Sequence, residues 1–198
     1  MRRSVLPALS LTLALTACGF SDASDGDGDA TGPTSGTTAA SETDGIEVEL
    51  NERGNVPMEV GQEAAVRPSS GPDEPPSLTL TLEEVVVDAV CDDDSEVPPE
   101  NGHYIAILLR ATATEDFDAR LVNPIADYDF TVIGEDGDTY PPVSEASRTC
   151  FGPPRQIQNM RIGPEYEYVG WMVLDVPVTS GTLVYEPGQV PYGWEWQF

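Results

Sequence analysis

The stretch Leu78-Thr79-Leu80-Thr81-Leu82 alternates strictly between apolar and polar side chains, and it decides the fold class. Such alternation places every second side chain on the same face and is typical of a half-buried β-strand. The parity changes at Glu83-Glu84, before Val85-Val86-Val87, as a β-bulge or burial on both faces would produce. The sequence therefore predicts a bent strand over residues 78–87.

Other short apolar runs follow, separated by clusters of proline, glycine and aspartate. Residues 104–109 are continuously apolar, which predicts a central strand covered on both faces. Ala111 and Ala113 are expected to keep one face packed, and Arg110 to mark the exit from the core. Residues 128–132 run into Gly134-Glu135-Asp136-Gly137 and then Tyr140, which predicts a hairpin. Further strands are predicted at residues 157–162, 166–176, 183–185 and 194–198, and no segment has the pattern of a helix.

This organisation predicts an all-β protein made of two packed antiparallel sheets. The immunoglobulin-like β-sandwich is the expected architecture, and a closed barrel is the alternative.

The N-terminus has the parts of a bacterial secretion signal. Met1-Arg2-Arg3 is positively charged, residues 5–15 are apolar, and Leu15-Thr16-Ala17-Cys18 places small residues before a cysteine. The last motif resembles the lipobox of bacterial lipoproteins, in which diacylglycerol is added to the cysteine before signal peptidase cuts in front of it. The resemblance implies a signal peptide at residues 1–17 and a lipid on Cys18 that anchors the chain to the extracytoplasmic face of the cell membrane. Export by the general or the twin-arginine route stays open.

The cysteine count supports an extracytoplasmic location. With Cys18 assigned to lipid, the chain of three cysteines retains Cys91 and Cys150. An even pair in an oxidising exterior predicts a disulfide. Closing a loop of that size would stabilise the fold by about 4 kcal/mol in the chain-entropy model.

The segment after the lipidated cysteine is a predicted linker at residues 18–45. It consists almost entirely of small and acidic residues, and Phe20 is its one large apolar side chain. Such a composition cannot bury enough surface to fold. The folded domain is therefore predicted at residues 46–198.

The strongly negative net charge restricts the classes of molecule that the protein can bind. The chain of 198 residues carries 35 acidic residues against 9 basic ones, all of them arginine, for a formal charge of -26. This field repels phosphates, and the scattered arginines form no basic patch, so a nucleic-acid partner is excluded.

The order of the predicted strands and motifs along the chain resembles that of a known family. An apolar strand at residues 104–107 and the hairpin at 128–140 precede Ile162-Gly163-Pro164, residues 170–177 and a Trp/Phe end. Over residues 56–198 the chain resembles the immunoglobulin-like lipoprotein domains of unknown function found in high-GC Gram-positive bacteria. The resemblance implies a β-sandwich of the type also seen in a secreted mycobacterial antigen, and it implies no activity. The acidic insertion at residues 91–96 departs from the family pattern.

Few residues are suited to catalysis. His103 is the only histidine, so a nucleophile activated by a histidine base has one candidate base, and a partly exposed structural histidine is the alternative. Two carboxylates across a cleft would suffice for glycoside hydrolysis, but 35 acidic residues offer no way to select a pair. The sequence favours a protein that is not an enzyme, with a carboxylate hydrolase acting on wall glycans as the alternative.

One cluster of acidic residues has the ligands for a metal ion. Asp92, Asp93, Asp94 and Glu96 supply several oxygen ligands beside the predicted disulfide and form a candidate calcium site. A solvated acidic loop is the alternative, in which case the protein has no cofactor.

Aromatic residues give a second candidate site. Trp194, Trp196 and Phe198 share one strand face, which core packing explains. The alternative is an aromatic platform for cell-wall sugars, for which further candidate residues are Tyr140, Trp171 and Tyr192. The expected partners are therefore the membrane, through the lipid, and an envelope protein or a wall glycan. The expected function is a non-enzymatic binding or structural role at the cell envelope, with a calcium or small-ligand carrier as another alternative.

Overall fold

The alternating stretch forms the long strand β3 (Leu78–Val87) in a computed structural model that describes residues 49–67, 75–92, 97–117, 125–188 and 190–198. Leu78, Leu80 and Leu82 are fully buried. The pairing between β3 and the next strand, β4 (His103–Ala113), shifts register between Leu82 and Glu84. The predicted bulge is therefore confirmed.

Nine strands form two sheets in the described part of the chain. Four antiparallel strands form one sheet, in the order β2 (Glu63–Val66), β3, β4 and β7 (Glu167–Val176). The five-stranded sheet has the order β1 (Val56–Met58), β9 (Trp194–Gln197), β8 (Gly181–Tyr185), β5 (Phe130–Gly134) and β6 (Thr139–Tyr140), and only the β1–β9 pair is parallel. The predicted immunoglobulin-like β-sandwich is confirmed, and the closed barrel is wrong because the sheets are separate.

The main core lies between the two sheets. Alternating residues of β4 and β7 enter it, and Trp194 and Trp196 of β9 close it from the other sheet. Phe198 packs against the same core from a partly buried position. The prediction that the terminal aromatic face is a core face is confirmed.

Strand β4 is central, between β3 and β7, and it is buried on both faces. Ile105 and Ile107 enter the main core, whereas Tyr104 and Ala106 belong to a second apolar cluster on the opposite face. The strand continues past Arg110 to Ala113, which is buried. The prediction that Arg110 marks the exit from the core was wrong, because its side chain alternates onto the outer face, where its Nε donates to Glu83 over 2.7 Å.

The second cluster forms on the outer face of the four-stranded sheet. There the chain between β6 and β7, residues 141–166 and called the connecting segment, covers the sheet. The cluster contains Tyr104, Ala106 and Val173 of the sheet together with Cys150 and Phe151 of the segment. The segment includes a helix, α1 (Glu145–Cys150), with Ser144 as its N-cap. The prediction of no helix was wrong, because six residues are too few to show a helical period in the sequence.

The same segment also covers the edge of β7. The backbone N–H of Asp175 donates to the carbonyl of Pro142 over 2.8 Å, and Gln156 forms an isolated parallel bridge with Trp171. The predicted strand at residues 157–162 is wrong, because Ile157–Asn159 is a short 3-10 helix. Ile157 in this helix and Ile162 after it are buried in the main core without belonging to a sheet.

A disulfide fixes this covering segment. Cys91 and Cys150 are bonded, with their Cα atoms 4.6 Å apart, and Cys150 is fully buried. The predicted disulfide is confirmed.

Two sequence predictions lie outside the described residues: the signal peptide with its lipidated Cys18, and the linker at residues 18–45. Within the described ranges, the structure contains no helix with the length and apolar character needed to cross a membrane.

Candidate functional site

A cleft of about 300 Å³ opens where the connecting segment meets the start of β5. This volume is at the lower end of the range for small-molecule sites, about 300–1,000 Å³. Its floor and walls come from the 3-10 turn Asp127–Asp129, the last turn of α1 and the segment after the helix. The lining residues are Ala126, Asp127, Tyr128, Arg148, Gln156 and Gln158.

An ion pair lies across the cleft. The Nε of Arg148 donates to Oδ2 of Asp127 over 2.8 Å, and the aspartate side chain is only 12% exposed. The hydrogen bond and the negative charge of Asp127 raise the pKa of Arg148 above its ordinary value. Because each charge is balanced by the other, the cleft has little net charge of its own.

Two glutamine amides determine which polar groups the cleft presents. The Nε2 of Gln156 donates to the carbonyl oxygens of Arg148 and Phe151, at 2.8 Å for Arg148. Its Oε1 is therefore an acceptor, and it accepts a bond of 3.4 Å from Nε2 of Gln158. Because Nε2 of Gln158 makes that bond, Oε1 of Gln158 points away from Gln156. This oxygen is buried and has no hydrogen-bond partner among the described residues.

Tyr128 gives the cleft an aromatic wall. It lies in the middle of the 3-10 turn, between Asp127 and Asp129, and 68% of its surface is exposed. It can offer an apolar face to a bound molecule.

A second acid, Asp129, is buried at the end of the same 3-10 turn. Burial raises the pKa of Asp129 to about 6, and the charge of Asp127 adds to this effect, whereas a hydrogen bond from the backbone N–H of Ala126 opposes it. Burial of the Tyr185 side chain itself, together with the negative charge of Asp129, raises the pKa of Tyr185. The Tyr185 hydroxyl is buried and has no hydrogen-bond partner in the described ranges.

The three predicted sugar-binding aromatic residues do not form one platform. Tyr140 and Tyr192 pack against the main core, and Trp171 packs against the second cluster with its ring edge toward Phe151. Tyr140 lies on β6 at the sheet edge, and Tyr192 lies just before β9, three strand positions away. At about 4.8 Å between neighbouring strands, β6 and β9 are roughly 14 Å apart.

The acidic loop is only partly described. Asp92 accepts a bond from the backbone N–H of Gly152 over 2.8 Å and forms an ion pair with Arg155, whose guanidinium lies over the Phe151 ring. Asp93, Asp94 and Glu96 lie outside the described residues. In the ranges that the structure describes, no group of three or more acidic, histidine or cysteine side chains is placed to hold a metal ion. The calcium site stays a prediction.

His103 is at the first position of β4 and is partly exposed. Its Nδ1 lies 2.6 Å from Oδ1 of Asp88, which directly follows β3 and has a positive φ of 55°. Neither residue lines the cleft.

Sequence reasoning did not identify the cleft residues. Asp127 and Arg148 are 21 positions apart, and only the folding of α1 against the sheet brings them together. Gln158 lies within the strand predicted at residues 157–162, and Gln156 directly precedes that strand, so neither residue was expected to line a cleft. The one available signal was Tyr128 in an acidic turn, Asp127-Tyr128-Asp129, which a hairpin does not require.

No protein-family model matches the chain, and no curated protein matches it. Among solved structures, the chain is similar to a secreted protein from Mycobacterium tuberculosis, MPT63. The two are 16% identical, with a TM-score of 0.45, and the match covers 73% of this chain and 98% of that chain. The resemblance to immunoglobulin-like lipoprotein domains stays a prediction, and function has to be inferred from the site itself.

Proposed function

We propose that this chain is a lipid-anchored extracytoplasmic module that binds a small ligand or a segment of a larger one in the cleft beside Asp127 and Arg148. In this proposal Cys18 carries the lipid, the acidic residues 18–45 link it to the domain, and the sandwich carries the cleft. The role is binding and not catalysis.

The observation that carries the extracytoplasmic location is the disulfide between Cys91 and Cys150. Structural disulfides form in oxidising compartments and are rare in the cytosol. The bond uses two of the three cysteines, so Cys18, behind an apolar segment, is the remaining thiol. Its position fits the lipobox that its neighbours resemble.

The geometry of the acids favours binding over glycoside hydrolysis. Hydrolysis places two carboxyl groups on either side of the scissile bond. Asp127 and Asp129 belong to one 3-10 turn, so they do not lie on opposite sides of the cleft. Asp127 is held by Arg148, and Asp129 does not line the cleft.

Membrane attachment is tested with the full chain expressed in a bacterium that processes lipoproteins. Cys18→Ala should move the protein from the membrane to the soluble fraction and abolish incorporation of labelled palmitate. A matched control, Ser21→Ala, should stay in the membrane and keep the label. Both variants should retain the Cys91–Cys150 disulfide. Membrane retention of a folded Cys18→Ala variant would contradict the anchor.

A further inference from the structure

The 3-10 turn Asp127–Asp129 forms one wall of the cleft, and the carboxyl group of Asp129 is part of the hydrogen bonding that closes this turn. The backbone N–H of Asp129 donates to the carbonyl of Ala126 over 3.1 Å, and its Oδ2 accepts a bond of 3.3 Å from the N–H of Ala126. Its carbonyl accepts a bond of 2.9 Å from the N–H of Glu186, directly after β8. The position of the Asp129 carboxyl group is therefore coupled to the shape of the turn.

The turn contains two buried acids but contacts one cation. Asp127 and Asp129 are both buried and lie two positions apart. Arg148 pairs with Asp127, and within the described ranges Asp129 forms no ion pair. A carboxylate that is buried without a cation, beside a second negative charge, is unfavourable in its ionised form. This arrangement therefore favours neutral Asp129, and its pKa, raised to about 6, agrees.

The other charged or titratable groups on the elements that contact the turn do not compensate Asp129. Arg148 on α1 is engaged by Asp127. Glu186 is exposed and adds a negative charge. Tyr185 on β8 has a buried hydroxyl with no partner among the described residues, and the charge of Asp129 raises the pKa of Tyr185. Ionised Asp129 is therefore stabilised by moving toward solvent, which opens the turn.

From this geometry we propose that Asp129 is a proton-dependent gate of the cleft. When Asp129 is protonated, the turn stays closed and holds Asp127 against Arg148. When Asp129 loses its proton, the turn opens by a local motion and the Asp127–Arg148 pair across the cleft is released. The gate rests on the proposed binding role of the cleft and adds the regulation of that site by pH.

Hydrogen exchange followed by NMR tests the gate without a ligand. The protein is the full mature chain carrying Cys18→Ala, so that no lipid complicates the measurement. The amides of Asp129 and Glu186 report on the turn, and the amide of Ile107 in the central strand β4 reports on the sheet. Protection factors, corrected for the intrinsic effect of pH on exchange, are compared at pH 5 and pH 7.5, on either side of the Asp129 pKa of about 6.

Protection of the Asp129 and Glu186 amides should fall about tenfold from pH 5 to pH 7.5, because ionisation favours the open turn. Dilute urea should leave this protection unchanged, since a local opening exposes little new surface, whereas exchange of the Ile107 amide should accelerate in urea. The Nε–H of Arg148, compared with that of free arginine, should lose protection over the same pH range, because its acceptor Asp127 moves with the turn.

Two variants assign the effect to Asp129. Asp129→Asn keeps an acceptor for the Ala126 N–H but has no charge, so protection of the turn should be the same at both pH values. The matched control is Asp138→Asn, which removes an exposed acid from another turn and should repeat the tenfold fall of the parent. Protection of the Ile107 amide verifies that each variant is folded.

Turn protection that is independent of pH in the parent would overturn the gate, as would a fall that persists in Asp129→Asn or one that is sensitive to dilute urea. A fall at the turn without any change at Arg148 would also overturn it, because the ion pair would then not be released. Release of Cys18→Ala from the membrane is measured separately, so the gate can fail while the proposed function stands.

Discussion

Cys91 and Cys150 are joined by a disulfide across 59 residues, and the bond holds α1 against the outer face of the four-stranded sheet. The backbone reinforces this attachment, because the N–H of Asp92 donates to the carbonyl of Cys150 over 3.0 Å. One wall of the cleft, at Arg148, is the last turn of the helix that this bond secures.

Replacing both cysteines, by Cys91→Ala and Cys150→Ala, should lower the free energy of unfolding by about 4 kcal/mol, because the unfolded chain loses a constraint. Denaturant titration measures this change. Hydrogen exchange should rise most at residues 145–157, where the covering segment is released. Unchanged stability together with unchanged exchange would show that the bond does not hold the segment.

Replacing Asp129 with asparagine should remove a pH-dependent penalty. The pKa of Asp129 in the folded state is about 6, against an ordinary value of 3.8, so the folded state binds the proton more tightly than the unfolded state. Ionised Asp129 therefore destabilises the fold above pH 6 by about 2–3 kcal/mol, and the penalty disappears as the pH falls from 6 to 4.

Thermal unfolding measured between pH 4 and pH 7.5 checks whether ionised Asp129 lowers the stability of the fold. Asp129→Asn should be more stable than the parent at pH 7.5 and equal to it near pH 4. The exposed Asp138→Asn serves as the control and should follow the parent at both values. A parent stability that falls between pH 6 and pH 4, with no such fall in Asp129→Asn, would contradict the assignment.

Gly170 allows the connecting segment to lie against the edge of β7. A Cβ at this position would come within 2.9 Å of the backbone nitrogen of Ile157 and 3.1 Å of the carbonyl oxygen of Arg155. Gly170→Ala should therefore cost about 1–3 kcal/mol of stability. Gly188→Ala is the matched control, since nothing lies within 4 Å of its Cβ, and equal stabilities for the two variants would contradict this packing.

Glu195 shows why some of the fold was not predictable. The sequence places Glu195 and Gln197 on the face of β9 opposite the tryptophans, as is observed, but Glu195 is only 4% exposed. The loop before β1 covers it, and Nε of Arg53 donates to its carboxylate over 3.0 Å. The two residues are 142 positions apart, so no local sequence pattern predicts their contact.

Arg53→Ala should consequently cost about 1–3 kcal/mol, because it leaves a buried carboxylate without its cation. Urea titration measures this loss. Adding Glu195→Gln to the same chain should recover part of it, since the amide needs no counter-charge. A double variant no more stable than Arg53→Ala alone would argue against the ion pair as the cause.

Each element that was predicted correctly has a local feature of the sequence that indicates it. Period-two alternation identified β3, the turn at Asp136-Gly137 identified the β5–β6 hairpin, and cysteine counting identified the disulfide. The helix α1 and the cleft arise from tertiary contacts. Arg148 and Gln158 acquire their roles only when the segment carrying them folds over the sheet.

The central claim is that the mature chain begins with a lipidated cysteine, and mass spectrometry of the N-terminal peptide from membrane-extracted protein tests it most directly. The proposed function predicts a peptide that starts at Cys18 and carries the added mass of diacylglycerol. A peptide that starts at Met1, or one in which Cys18 is unmodified, would contradict it.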